Sequence, residues 1–118
     1  MPLNLDAYLG VHAAALKLRG ERTELLANNL ANADTPGYKA RDMDFEAALK
    51  AASSPGSSGK AAAAALKYRV PLAPSLDGNT VDVQLEQAAF AENSVRYQAT
   101  LTFLSARFRS LMTAITGQ

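Results

Sequence analysis

Residues 27–39 read ANNLANADTPGYK, and this stretch decides where the chain stops being helical and turns. Three asparagines stand at the end of a helical pattern, and asparagine is a poor interior helix residue because its amide competes for nearby backbone groups. Pro36 fixes φ at the second position of a turn, and Gly37 supplies the positive φ that a type II turn requires next. The stretch therefore predicts a helix end followed directly by a tight turn.

A helical pattern precedes this turn over residues 5–33. Apolar and small side chains recur at steps of three and four residues along one face, which includes Leu9, Leu16 and Leu30. A second apolar stripe runs along the nearly opposite face through Leu18 and Leu25. A helix that is apolar on two sides is usually buried on two sides, so we expect neighbouring subunits to cover part of it.

A second long helix is predicted over residues 81–116, after the turn signal at 77–79. Acidic residues lie in its first half and arginines in its second, which complements the helix dipole, and Gly117 provides a stop. The helix would be about 50 Å long, and its heptad spacing predicts a coiled-coil strand. The heptad seam contains Val83, Gln87, Phe90, Ser94, Tyr97, Leu101, Leu104, Phe108, Leu111 and Ile115.

The middle of the chain, residues 34–80, is predicted to be a turn followed by a largely irregular, flexible segment. Residues 42–52 fit a short helix, and the Ser-, Pro- and Gly-rich run 53–59 has the composition of a flexible linker. The alanine-rich run 60–67 fits one or two helical turns, and residues 68–70 are a candidate short strand.

Length and composition predict one domain over residues 1–118 with a thin core. Of the 118 residues, 48% are hydrophobic, but 24 are alanine and only 26 are Leu, Ile, Val or Phe. That share is close to the roughly 20% below which a chain struggles to bury a core. The fold class is therefore mainly α: long terminal helices that pair as a coiled coil and bury their faces against other copies.

Composition also excludes several classes of function. The net charge of +1 lacks the basic excess of a nucleic-acid binder. The longest apolar run, residues 61–66, is far shorter than the ~20 residues of a membrane span. No charged and apolar leader opens the chain, so no cleavable signal peptide is expected. The absence of cysteine excludes disulfides and thiolate metal sites.

No set of residues predicts catalysis, a cofactor or a metal site. His12 is the only histidine, and a helix-surface position explains it better than metal binding. Asp42 and Asp44 resemble a carboxylate pair, but they have no nearby histidine, serine motif or glycine cradle. A solvated turn or a helix start is the more plausible role for them. We therefore predict that the chain is not an enzyme.

Two parts of the sequence resemble a known family. The segment ANNLANADTPGYKARDMDF, residues 27–45, resembles the N-terminal signature of bacterial flagellar axial proteins, the rod and hook family. Residues 77–115, DGNTVDVQLEQAAFAENSVRYQATLTFLSARFRSLMTAI, are similar to the C-terminal half of the proximal-rod members. The resemblance covers residues 5–45 and 77–115, about two-thirds of the chain, and leaves out the alanine- and serine-rich middle.

The resemblance implies a structural subunit of the proximal rod of the flagellar basal body, which polymerises through its terminal helices and transmits torque. The implied partners are other copies of the chain, other rod proteins, the membrane-ring protein with its rod adaptor, and the flagellar type III export apparatus. The implied location is the periplasmic rod. Two alternatives stay open: another axial protein such as FlgC, or a generic coiled-coil adaptor.

We expect the assembly and packing residues to lie in the asparagine-turn segment and on the faces of the two long helices. They are Leu9, Leu16, Asn28, Asn29, Leu30, Asn32, Pro36, Gly37, Tyr38, Phe90, Tyr97, Leu101, Leu104, Phe108, Leu111 and Ile115.

Overall fold

A computed structural model describes residues 9–53, 65–71 and 75–117. Two long helices run beside each other in opposite directions and carry a small helix and a two-stranded antiparallel sheet near one end. The molecule is elongated, with extents of 64 × 29 × 18 Å. The elements in chain order are α1 (Val11–Ala31), β1 (Arg41–Met43), α2 (Phe45–Ala52), β2 (Leu66–Tyr68) and α3 (Val83–Thr116). The mainly helical class, with long terminal helices, is confirmed.

Helix α1 ends at Ala31, two residues before the predicted end. The Asn32 backbone N–H donates to Asn28 O at 3.1 Å and to Asn29 O at 3.2 Å. The Asn32 side-chain amide also donates to Asn28 O, at 2.8 Å. These bonds satisfy the last carbonyls of the helix, so the chain leaves it earlier than the periodicity indicates. The predicted start at residue 5 lies outside the described residues.

The turn after α1 is confirmed. The Tyr38 N–H donates to Thr35 O at 3.2 Å, so the four residues 35–38 form a hydrogen-bonded turn around Pro36 and Gly37. Gly37 has a φ of 76°, as the third position of a type II turn requires. The direction in which the chain leaves α1 therefore depends on this proline and glycine.

The middle segment forms a two-stranded antiparallel sheet that the sequence indicated only in part. Strands β1 and β2 are antiparallel, with Asp42 opposite Lys67. The candidate strand at 68–70 starts at Leu66 instead, because the Asp44 N–H donates to Ala65 O and the Arg69 N–H donates to Ala40 O. These bonds also make the helical prediction wrong for residues 65–67. The rest of that prediction, and the linker from residue 54, lie outside the described residues.

Helix α2 starts at Phe45, three residues later than predicted, because Asp42 belongs to β1 and Asp44 is the cap. Asp44 Oδ1 accepts the Ala47 N–H at 3.2 Å. The small apolar core lies between α1, α2 and the two-stranded sheet. Its buried members are Leu18, Met43, Ala48 and Ala65, with Leu25, Phe45, Leu49 and Ala52 partly buried around them. These few residues form a thin core, as the composition predicts.

Helix α3 begins at Val83, two residues later than predicted, and ends at Thr116 as predicted. Asp82 is its N-cap and accepts the Leu85 N–H at 3.2 Å. Gly117 adopts the left-handed conformation with a φ of 72° and terminates the helix.

The contact line between α1 and α3 lies beside the predicted heptad seam. The buried residues of α3 are Glu86, Asn93 and Leu104, of which only Leu104 belongs to that seam. Leu101 and Phe108, both seam positions, are exposed. The seam was found by following apolar residues, whereas two of the three most buried positions are polar. No described helix is long and apolar enough to cross a membrane.

Candidate functional site at the helix junction

Asn29, on the last turn of α1, is the centre of a buried junction between the two long helices. Its side chain is fully buried, and its Nδ2 donates to Arg41 O at 2.7 Å and to Glu86 Oε2 at 2.9 Å. Its Oδ1 accepts the Tyr38 hydroxyl at 3.2 Å and the Arg41 N–H at 3.1 Å. Both amide hydrogens and both lone pairs are therefore used. One asparagine fastens α1 to β1, to the turn and to α3.

A chain of four charged side chains extends from this junction. Glu86 of α3 is fully buried, and its Oε1 lies 2.7 Å from Arg69 Nε in an ion pair. Arg69 also donates to Asp42 Oδ2 at 2.9 Å. Asp42 in turn accepts from Arg22 Nε at 2.9 Å and from Arg22 NH2 at 3.1 Å. The chain links α3, the end of β2, β1 and α1, with two positive and two negative charges.

The charge chain alters the acidity of Asp42. Burial alone would raise the pKa of this carboxyl, but bonds from Arg22 and the Met43 N–H, with the charges of Arg22 and Arg69, lower the pKa below its ordinary value. The Arg22 guanidinium has a raised pKa, chiefly from its hydrogen bond to Asp42. Because the pKa of Asp42 is lower in the folded than in the unfolded chain, the carboxylate stabilises the folded state at pH values above the unfolded pKa of about 3.9. This stabilisation is lost as pH falls through the folded-state pKa.

We predict that Asp42→Asn lowers the free energy of unfolding by about 1.5–3 kcal/mol near pH 7, because it weakens hydrogen bonds to charged partners. The deficit should shrink as pH falls through the lowered folded-state pKa of Asp42, because the wild-type carboxyl then also gains its proton. Urea unfolding over a series of pH values from 7 downward measures the difference. Asp34→Asn, at an exposed position, is the control and should change little. A deficit that stays the same throughout the acid series would contradict the assigned charge.

Asn79, in the loop before α3, holds the end of α1 in place. Its Nδ2 lies 2.9 Å from Asn32 O, 3.0 Å from Ala33 O and 2.8 Å from Thr35 O, so its two hydrogens are shared among three carbonyl oxygens of the segment that follows α1. Its Oδ1 accepts the Val81 N–H at 2.7 Å. The loop that starts α3 is therefore hydrogen-bonded to the segment in which the chain leaves α1.

Backbone hydrogen bonds join the same two segments. The Gly37 N–H donates to Asp77 O at 2.8 Å, and the Thr80 N–H donates to Tyr38 O at 2.9 Å. Lys39 Nζ adds a bond to Gly78 O at 2.6 Å. The asparagine-turn segment and the segment before α3 are thus one structural unit, which we call the clasp (residues 32–40 and 75–82).

The Gly37 conformation gives a prediction for the clasp. A Cβ at Gly37 would meet no atom within 4 Å, so the cost of Gly37→Val is chiefly that of forcing a β-branched residue to a φ of 76°. We expect a loss of about 1–2 kcal/mol or more in urea unfolding. Gly20→Ala, at a helical glycine where the nearest atom is 4.0 Å away, is the control and should stabilise by up to about 1 kcal/mol. Equal effects of the two changes would show that the turn does not need a positive φ.

Asn93 forms a second buried polar contact between the long helices, further along α3. Its Nδ2 donates to Arg19 O at 3.0 Å and to Thr23 Oγ1 at 2.8 Å. The Arg19 guanidinium lies 3.9 Å from the centre of the Phe45 ring. Burial, followed by the charges of Arg96 and Arg22, lowers the pKa of Arg19. Asn29 and Asn93 together fix the position of α1 along α3.

The residues expected to act in assembly lie in three places. Asn29 and Leu104 are buried inside the chain. Half-buried positions along the helices and the turn are Leu9, Leu16, Leu30, Asn32, Tyr38, Phe90, Tyr97 and Leu111. Exposed positions are Asn28, Pro36, Gly37, Leu101, Phe108 and Ile115. The structure thus brings the asparagine-turn residues together at the clasp and leaves part of the heptad seam on the surface of α3.

Asp42, Asp44 and His12, which the sequence offered as candidate chemical groups, make contacts that stabilise the fold. Asp42 lies in the charge chain rather than in the solvated turn we expected, while Asp44 caps α2 and pairs with Lys67 at 3.1 Å. The His12 ring lies 4.2 Å from the Phe103 ring. Across the described residues, no group of three or more His, Cys, Asp or Glu side chains is placed to hold a metal ion.

Sequence reasoning missed the polar partners of the junction. Glu86 and Asn93 are seven residues apart, which is a heptad interval, but a search for apolar residues passes over both. No motif or spacing in the sequence marks Arg69 as the partner of a buried carboxylate. Asn79 was noted only as part of a turn, although asparagine between a glycine and a helix start is a plausible source of capping bonds.

Comparison with known proteins identifies the class of this helix pair. The family described as flagella basal body rod protein matches residues 9–39, which span α1 and the turn. The FlgB rod protein of Cereibacter sphaeroides is 51% identical over 121 aligned residues, which cover 93% of this chain and 94% of the relative. The FlgB proteins of Salmonella typhimurium and Escherichia coli are 44% and 42% identical, and each alignment covers at least 94% of both chains.

These matches place the chain among the rod proteins of the flagellar basal body. Because the similarity extends over nearly the whole length of relatives that all bear one name, the chain belongs to the FlgB family. The resemblance to flagellar axial proteins is confirmed.

Proposed function

We propose that this chain is a structural subunit of the proximal rod, and that it polymerises through its terminal helices and transmits torque. The observation that carries the proposal is the set of large apolar side chains left exposed on the second half of α3, among them Leu101, Phe108, Met112 and Ile115. Such side chains on one helix face mark a surface that another protein covers. Repetition of a contact between unlike surfaces builds a helical assembly.

Torque transmission requires that the subunit resist bending at its joints. The joint between α1 and α3 is held by the side-chain amides of Asn29 and Asn93, and the ion pair of Glu86 with Arg69 ties α3 to the end of β2. The clasp fixes the two helix ends to each other, with Asn79 bonded to three carbonyls. Directional bonds of this kind specify one arrangement of the helices, whereas a uniformly apolar contact permits sliding.

The neighbours we propose are other copies of the chain, other rod proteins, and the membrane-ring protein with its rod adaptor. The proposed location is the periplasmic part of the basal body, reached through the flagellar type III export apparatus. The small core favours that route, because a chain with few large buried side chains costs little free energy to keep unfolded. No described group suggests a reaction, so the proposed function is structural and not enzymatic.

Phe108→Asp tests the proposal. Phe108 is exposed, so the substitution should leave the isolated chain folded and yet block its incorporation into basal bodies, because a carboxylate would be buried unpaired between subunits. We expect cells carrying only this variant to lose motility, with no variant chain in basal bodies purified from them. Ser110→Asp, exposed on another side of α3, is the matched control and should retain motility. Complete rods containing Phe108→Asp would refute the proposal.

A further inference from the structure

The second half of α3 has an exposed apolar face. Leu101, Phe108, Met112 and Ile115, at steps of seven, four and three residues, lie on one side of the helix and form what we call the terminal stripe. Their exposed fractions are 39%, 45%, 58% and 64%. Towards the middle of the molecule the stripe is continued by an open groove of about 280 Å³ between α1 and α3. The groove is lined by Gly20, Thr23, Ser94, Tyr97 and Gln98.

Among the residues that the structure describes, the charged side chains around the terminal stripe are all of one sign. The sequence contains no Asp or Glu from Asn93 to Gly117, where Arg107 and Arg109 lie, and none from residues 9–20, where Lys17 lies. Arg109 follows Phe108 directly, and the Arg107 guanidinium is 5.5 Å from the centre of the Phe103 ring. In contrast, the described residues 21–53, 65–71 and 75–92 contain ten carboxylates and six Lys or Arg side chains. The described residues around the apolar stripe therefore carry a positive net charge.

We propose that the terminal stripe and the groove beside it bind an amphipathic helix that carries carboxylates beside its own apolar stripe. This inference rests on the proposed structural function and names the chemistry of the partner. The length of the site fits a helix, because residues 94–115 extend over about 30 Å, and heptad steps are the spacing at which helices interlock. The sign of the charge fits an acidic partner, since complementary charges steer association and like charges exclude wrong partners.

Binding of designed helical peptides to the purified full-length chain tests the proposal. One probe is a peptide of about 24 residues with leucine at heptad positions and glutamate beside them, and the second has lysine in place of every glutamate. We expect the acidic peptide to bind at least tenfold more tightly than the basic one. Its affinity should fall as salt rises and screens the charges. Equal affinity for the two peptides, or no binding of the acidic one, would overturn the proposal.

Variants of the chain assign the binding to the stripe. Phe108→Ser should weaken binding of the acidic peptide at least tenfold, and Arg109→Glu should remove the preference for the acidic peptide. Val95→Ser is the matched control, because Val95 is an exposed apolar residue of the same helix on another side, and it should bind as the wild type does. An equal loss with Val95→Ser and Phe108→Ser would overturn the assignment.

Binding to vesicles of phosphatidylglycerol and phosphatidylcholine tests the alternative that the stripe binds a membrane, because a basic apolar face also suits an anionic lipid surface. Binding to vesicles that requires Phe108 and Arg109, without binding of the acidic peptide, would overturn the proposal in favour of a lipid surface. The proposed rod function is tested separately, by incorporation of Phe108→Asp into basal bodies. A chain that enters the rod and yet ignores the acidic peptide would reject only the partner chemistry.

Discussion

Leu104→Asp is expected to separate the two long helices in the isolated chain. Leu104 is 6% exposed and is the one large apolar side chain of α3 that is buried. The loss of its apolar burial costs about 2–5 kcal/mol by comparison with core truncations. An unpaired carboxylate at the same place costs several kcal/mol more unless water reaches it. The sum is comparable to the whole stability of a small domain, which is about 5–15 kcal/mol.

Circular dichroism and urea unfolding of the purified variant measure this effect. Ser105→Asp introduces the same charge one residue later at an exposed position, and it should lose less than about 0.5 kcal/mol. Phe108→Asp, at an exposed seam position, should resemble the serine variant in the isolated chain and differ from it only in assembly. If Leu104→Asp and Ser105→Asp unfold at the same urea concentration, Leu104 does not hold the helices together.

Arg69→Met is expected to be the most damaging change in the charge chain. Glu86 is fully buried, and removal of Arg69 leaves its negative charge without a positive partner. Breaking one half of a buried ion pair costs about 3–5 kcal/mol, more than the pair itself contributes. The loss of Arg69 costs less free energy at Asp42, because Arg22 continues to donate to both oxygens of that carboxylate.

A second substitution shows that the buried charge is the cause. Glu86→Gln in the Arg69→Met background removes the charge and keeps an oxygen to accept from Asn29, so the double variant should recover at least about 2 kcal/mol. Lys67→Met is the matched control, because the Lys67–Asp44 pair has side chains 67% and 39% exposed, and it should cost less than about 1 kcal/mol. A double variant less stable than Arg69→Met would show that the cost is not that of an uncompensated charge.

The ends of the helices were predictable from sequence because local chemistry sets them. Pro36 and Gly37 form the expected turn, and Gly117 stops α3 with a positive φ. The error at the start of α3 was two residues, because the Asp82 side chain caps the helix before Val83. A pattern of apolar residues locates a helix well, but single capping bonds decide its first and last residues.

The site was less predictable because its partners are distant in sequence. Asn29 meets Glu86 across 57 positions, and Asn93 meets Arg19 across 74. Sequence predicts that a glutamate is exposed, because its burial becomes favourable only with a paired arginine that the sequence does not reveal. Strand β1 reads Arg-Asp-Met, which has no strand pattern, and it becomes a strand only because β2 pairs with it. Pairing in space overrides the local preference at both places.

The long separations also determine the order in which the polypeptide acquires its structure during synthesis. Asn29 leaves the ribosome early, but its amide has no buried acceptor from α3 until Glu86 emerges, and Leu104 follows later still. Closing a loop of this size costs entropy that only the completed contacts repay. A nascent chain therefore remains without its native helix pair until most of its length has been translated. A cell has that whole interval in which to capture the polypeptide before it folds.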